Sequence, residues 1–191
     1  MSMPLMGAGP SAGGAAAAPP ATTTYYPNST NCVGWDGEDA TRPPVAAYDV
    51  EAALSSGELD TITADDANSV MYAAPQGSRH YPFHRIRFKV AETPANITNI
   101  TPTFKGYGVD AWSAVNGYNL YIWNDNTSLW EAVDSHTTST KDTVTGSVTV
   151  SCANYVITGG YIDIVVVGPA ETGDMVTARC WTYYGQLAVT A

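Results

Sequence analysis

The run Phe83-His84-Arg85-Ile86-Arg87-Phe88-Lys89-Val90 alternates without a fault. His84, Ile86, Phe88 and Val90 fall on one side, and Arg85, Arg87 and Lys89 on the other. A period of two is the mark of a strand with one buried face and one polar face. Pro82 and this alternation also exclude a helix that would bring His80 and His84 together as metal ligands. On a strand, four residues span roughly 13 Å, too far for one coordination shell.

Similar short runs lie downstream at Asn96 to Phe104, Asn119 to Trp123, Trp130 to Val133, Thr143 to Val150, Tyr161 to Val167, Thr177 to Tyr183 and Gln186 to Val189. The breaks are Gly106-Tyr107-Gly108, Asn124-Asp125-Asn126, Thr158-Gly159-Gly160 and Glu171-Thr172-Gly173. Asp125-Asn126 between two tryptophans is a hairpin signal. Seven or eight short strands at this spacing predict an all-β fold, an antiparallel β-sandwich of jelly-roll or immunoglobulin-like type. No βαβ alternation competes.

Upstream the chain changes character twice. Met1 to Trp35 carries no charged side chain, and fifteen of the first 21 residues are Gly, Ala or Pro. Residues 1–35 therefore read as an extended N-terminal arm. Residues 36–80 hold nine of the 18 acids and read as a loop-rich segment packed on the sandwich, which spans 81–191. Within it Val50 to Leu54 has the composition of a short helical turn, punctuated by Pro43-Pro44 and Ser55-Ser56-Gly57.

Charge narrows the partners. The 191 residues carry 8 Lys+Arg against 18 Asp+Glu, a net charge of −10, and only 14% are charged. An ordinary soluble chain carries roughly 25%. This balance argues against nucleic acid and against a polybasic membrane contact, and no run approaches the length of a membrane-spanning helix. Half the basic residues cluster at Arg79, Arg85, Arg87 and Lys89. They suit a solvated strand face matched by nearby acids, or, for Arg85, Arg87 and Lys89, contact with an acidic partner.

Candidate sites are few. Asp36-Gly37-Glu38-Asp39 and Asp65-Asp66 read as solvated carboxylates, with a structural Ca²⁺ as the alternative and no other cofactor implied. Trp123, Trp130, Trp181 and Tyr183 suit a core or protein interface. They also suit a platform on which the apolar faces of sugar rings stack, and that second reading makes the chain a carbohydrate-binding or adhesion module. Cys32, Cys152 and Cys180 are odd in number. Cys152 and Cys180 read as core thiols or a bridge between strands, and Cys32 as a free thiol or a bond to another chain. No nucleophile motif or assigned pair of opposed carboxylates is present, so no enzyme activity is expected.

Leu120-Tyr121-Ile122-Trp123-Asn124 followed by Trp130-Glu131, and Tyr161 to Val167 before a glycine turn, resemble β-sandwich modules of bacterial and archaeal surface proteins and of virion accessory proteins. Met1 to Pro10 resembles the N-terminal arms of tailed-phage structural proteins. The resemblance implies a non-enzymatic virion protein that decorates or reinforces the head, neck or tail. It implies location in the particle, contacts with other virion subunits and a homo-oligomer such as a trimer. The arm, through Met1, Leu5, Met6, Pro10, Tyr25 and Tyr26, would provide attachment, with close backbone approach allowed by its Ala and Gly.

Overall fold

A computed structural model describes residues 19–28, 30–45, 50–111, 114–172 and 177–191. Among the described residues, twelve strands and one short α-helix follow one another: β1 Thr22–Tyr25, β2 Cys32–Asp39, β3 Val50–Ala53, α1 Ser56–Thr61, β4 Val70–Ala73, β5 Tyr81–Lys89, β6 Asn99–Asp110, β7 Val115–Asn116, β8 Tyr118–Asn124, β9 Leu129–His136, β10 Asp142–Thr145, β11 Tyr161–Val167 and β12 Ala178–Thr190. They form two sheets of six strands, and every strand pair is antiparallel. The first sheet runs β1-β12-β6-β10, with β4 beside the other half of β12 and β7 beside the far end of β6. The second runs β3-β2-β5-β11-β8-β9. The protein is an all-β antiparallel sandwich.

The alternation that opens the sequence places β5 near the middle of the second sheet. Ile86 and Phe88 enter the core, where Phe88 meets Phe104 of the first sheet edge-on at 6.5 Å. Ile164 and Val166 of β11 and Leu120 and Ile122 of β8 extend this layer, and Ile100, Leu187 and Val189 face it. These side chains are fully or almost fully buried. At roughly 25 cal/mol per Å² of apolar surface, their burial is the main favourable contribution to folding.

A polar group crosses this interior. His84 Nδ1 lies 2.9 Å from Thr182 Oγ1, and the Tyr118 hydroxyl lies 2.8 Å from the same oxygen. Thr182 sits at the β-bulge of β12, so the bulge places one hydroxyl between two residues of the opposite sheet. Burial lowers the His84 pKa to about 4, and Glu58 only partly opposes this. His84 is therefore neutral in the native state at physiological pH.

The strands depart from the sequence reading in four places. Gly106 and Gly108 do not break a strand; β6 runs through both. A Cβ on Gly106 would lie 2.2 Å from the Trp181 carbonyl oxygen and 2.5 Å from the Tyr118 ring, so these glycines permit close packing. Thr177 to Tyr183 and Gln186 to Val189 are one bent strand, β12, joined through the bulge. Val50 to Leu54 is not helical, since β3 pairs with β2 there. The helix starts after Ser55, which forms a reciprocal capping box with Glu58. Thr143 to Val150 stops short as a strand: β10 ends at Thr145, and Cys152 opens a 3-10 turn.

The expected division of the chain also shifts. Met1, Leu5, Met6 and Pro10 lie outside the described residues. Thr22–Tyr25, expected in the arm, pairs with Leu187 to Thr190 at the edge of the first sheet. The Tyr25 hydroxyl donates to Glu92 at 2.6 Å and accepts from the Ala91 N–H at 2.9 Å. Tyr26 rests near Tyr184, with 6.4 Å between ring centroids. Cys32 begins β2 and is buried, and its S–H donates to the Tyr26 carbonyl at 3.3 Å. Burial pushes its thiol up to about 12. An accessible interchain thiol at Cys32 is thus corrected to a core thiol, and Cys152 and Cys180 are likewise buried and unbridged.

The folded pKa of His84 lies below the ordinary histidine value near 6.5, so the unfolded chain binds the extra proton between the two. Its contribution to stability is complete above about pH 6.5 and is lost as pH falls towards 4, a change on the order of 3 kcal/mol. Urea denaturation at pH 7.5 and 4.5 should show this loss in the native chain and a smaller one in His84→Gln. Gly106→Ala should destabilise by about 3 kcal/mol in the same assay, because its neighbours include rigid backbone.

Candidate functional site

The outer face of the second sheet is not a plain solvated surface. Phe83, Tyr121, Trp130, Val165 and Val167 form a second apolar cluster there, with Tyr81 and Trp123 packed against it. The turn after β2 borders this cluster. The buried Asp39 carboxylate holds that turn: one oxygen accepts from Thr41 N–H and Oγ1–H, each at 2.8 Å, and the other from Val45 N–H at 3.2 Å. The Arg42 guanidinium lies over the Tyr81 ring at 5.4 Å.

Beside the cluster the polar side of β5 meets an acid. Register sets Asp163 of β11 opposite Arg87 of β5. Asp163 accepts from Arg85 Nη2 at 2.7 Å, Arg87 Nε at 2.7 Å and Arg87 Nη2 at 2.8 Å. Its side chain is 3% exposed. Trp35 on β2 lies against both cations, with the Arg85 guanidinium 4.9 Å and the Arg87 guanidinium 5.6 Å from its ring centroid. Glu51 approaches Arg85 Nη1 at 3.4 Å. Burial raises the Glu51 pKa, and Arg85 draws it back down.

Arg85 and Arg87 are therefore matched within the chain. This favours the solvated-face reading of the basic cluster in its pairing, though not in its exposure, and corrects the idea that these two await an acidic partner. Lys89 lies over the Tyr161 ring at 4.5 Å and donates to the Gly159 carbonyl.

Trp123 of β8 and Trp130 of β9 face each other across the strand pair and meet edge-to-face at 5.4 Å. Together with Arg85, Arg87, Asp163, Asp125, Ile157 and Thr158 they line a cleft of about 290 Å³. The Trp123 indole N–H points to Asp125 Oδ1 at 3.4 Å. The hairpin turn that spaces the tryptophans is fixed by Asn124, whose side-chain oxygen accepts from Asn126 N–H at 3.1 Å and Thr127 N–H at 3.3 Å. A cleft with aromatic walls and hydrogen-bonding groups already held in place suits a ligand with an apolar face and a polar rim.

Trp181 and Tyr183 lie elsewhere, on the outer face of the first sheet. Tyr107 stacks on Trp181 at 4.7 Å and on Tyr183 at 6.1 Å, with planes within 17° and 22° of parallel. Lys141 lies over Tyr183 at 5.1 Å and Arg179 over Trp181 at 5.9 Å. Neighbouring rings and cations thus take up part of these ring faces, while Tyr107 and Tyr183 also border a hollow of about 440 Å³ with Ser139, Thr140 and Lys141. The four aromatics expected to act together thus divide into two groups, and only Trp123 and Trp130 line the cleft.

Three acids of the acidic clusters serve the fold. Asp39 shapes its turn, Asp65 pairs with Lys105 and Lys141, and Asp66 accepts from Asn68 N–H at 2.7 Å. Among the described residues no group of three or more His, Cys, Asp or Glu side chains is arranged to hold a metal ion.

Asp163→Asn removes one charge and leaves two guanidiniums facing each other beside Trp35. It should destabilise by about 3 kcal/mol, whereas Arg87→Gln, which leaves the Arg85 pair intact, should cost less than half of that. Chemical denaturation of the two variants checks the order.

Among curated proteins no match is found. Among solved structures, a xylan-binding module CBM15 aligns at a TM-score of 0.44 and 10% identity, covering 90% of this chain and 97% of that one. Likeness at that level speaks for neither a shared ligand nor shared descent. A family model described as "Uncharacterized protein, C-terminal domain" matches residues 33–191, from the second residue of β2 to the final residue. The chain belongs to that family, AF_1625_C.

Proposed function

We propose that the chain is a carbohydrate-binding module that uses the outer face of the second sheet. The observation that carries this reading is the cleft itself: two tryptophans in edge-to-face contact beside Arg85 and Arg87, which are gathered on the buried Asp163 carboxylate. A sugar ring offers an apolar face to indole and hydroxyls to charged or amide groups around its rim. Both requirements are met within one cleft by side chains already locked by other contacts, which limits the entropy lost on binding.

The reading is of binding without a chemical step. Glycoside hydrolysis needs two opposed carboxyl groups, one of them able to give a proton. Asp163 accepts three guanidinium N–H bonds, and Asp125 sits on the hairpin turn beside Trp123. Neither is set as a proton donor across a bond. The alternative, a structural protein of a phage particle attached through an arm at residues 1–35 and through sandwich contacts, draws on the composition of that arm and on a resemblance, whereas the glycan reading stands on described side chains.

A glycan array followed by calorimetry tests the proposal. The native chain should bind at least one oligosaccharide, and Trp123→Ala should weaken that binding by at least about tenfold with an unchanged far-ultraviolet spectrum. Trp181→Ala should leave affinity within about twofold. Array silence, or loss of binding through Trp181 alone, would falsify the site.

A further inference from the structure

Trp123 and Trp130 line two hollows, not one. The first is the cleft with Arg87, Asp163 and Asp125. The second, of about 350 Å³, lies where the β8–β9 hairpin meets the turn after β2. Pro43, Pro44, Val45, Ser128 and Leu129 line it together with the two indoles. Each hollow sits at the lower end of the range for small-ligand sites, about 300–1,000 Å³, and the two together reach its middle. The tryptophans are therefore shared between neighbouring hollows rather than the back wall of one pocket.

Both hollows have exposed residues in their lining. Leu129 is 62% and Val45 51% exposed at the second, and Asp125 and Thr158 are exposed at the first. A site that reads the end of a chain encloses that end and satisfies its terminal hydroxyls. These two hollows instead leave room for a chain to continue beyond them.

The second hollow also has the chemistry a sugar ring needs. Pro43, Pro44 and Leu129 supply C–H surface, and the exposed Ser128 supplies a hydroxyl. The Thr41 hydroxyl is engaged with Asp39 and the Pro43 carbonyl. Proline rings have almost no side-chain entropy to lose on contact. Among the described residues, no charged side chain lines this hollow. In the first, Arg85 and Arg87 are opposed by Asp163, Asp125 and Glu51, which leaves no surplus positive charge for a uronate or a sulfate.

We infer that the ligand is a neutral, extended polysaccharide bound at an internal segment, with sugar rings in both hollows. The chain crosses at Trp123, the more exposed of the two indoles. The inference rests on the glycan reading of the cleft. A β-1,4 linkage keeps a chain extended, so neutral β-1,4 chains are the matching class.

Calorimetry on two-unit and four-unit chains of the β-1,4 glucose, mannose and xylose series separates the inference from the reading beneath it. In a series that binds, the four-unit chain should bind at least about tenfold more tightly than the two-unit chain. The soluble polysaccharide of that linkage has few ends, and it should displace the four-unit chain at a sugar concentration within about threefold of that chain's own. Leu129→Ser and Val45→Ser each change an exposed part of the second hollow. Each should weaken the four-unit chain by at least about threefold and the two-unit chain by less, with an unchanged far-ultraviolet spectrum. Equal affinity for the two lengths, a polysaccharide that does not compete, or a length ratio unchanged in both variants overturns the inference and leaves glycan binding standing. An array on which only charged or chain-terminal sugars bind does the same. Failure to bind any sugar on the array removes the reading and the inference together.

Discussion

Asp163 sits in β11, a strand covered on both faces, and the outer surface of the second sheet is organised around it. A carboxylate in that position is costly unless its charge is met on the spot. Arg85 and Arg87 meet it with three hydrogen bonds, and Trp35 lies against both guanidiniums. Asp163 thus ties both guanidiniums to one point of the sheet. The result is a rigid, near-neutral polar floor on a sheet face, and it is this floor that turns the neighbouring tryptophans into the wall of a cleft.

The two outer faces of the sandwich use aromatic residues in opposite ways. On the first sheet, Trp181, Tyr107 and Tyr183 stand side by side on neighbouring strands and stack on one another. Much of their ring surface is taken up by one another. On the second sheet, Trp123 and Trp130 meet at 69°, so the edge of one ring takes the face of the other and the pair borders hollows on both sides. The turn hung from Asp39 supplies the apolar side of the second hollow. Aromatic content alone does not distinguish these arrangements; the interplanar angle does.

Most of the fold is legible in the sequence because alternation is local. Phe83 to Val90 and Tyr161 to Val167 appear as strands β5 and β11, and Trp123 and Trp130 are joined by the hairpin that Asp125-Asn126 announces. What is not legible depends on contacts distant in sequence. Gly106 and Gly108 look like a break, but they are glycine because Trp181, Tyr118 and Gly117 crowd them from other parts of the chain. The segment Thr22–Tyr25 looks like part of an arm because its partner, the end of β12, lies at the opposite end of the chain. Asp163 leaves one trace: a lone acid within an aliphatic run, opposite a strand whose polar side carries Arg85 and Arg87. That pattern is a signal for a buried ion cluster. Trp35 leaves none, since nothing local says that it lies against two cations.

On the glycan-binding proposal, ligand contacts fall to one tryptophan pair among the five tryptophans of the chain. Each indole N–H gives its own signal in a nitrogen–proton correlation spectrum, so a titration with an oligosaccharide bound on the array reads all of them at once. The Trp123 and Trp130 signals should shift progressively and saturably, with that of Trp181 unmoved. Shifts confined to Trp181, or a spectrum unchanged at millimolar sugar, would contradict the proposal.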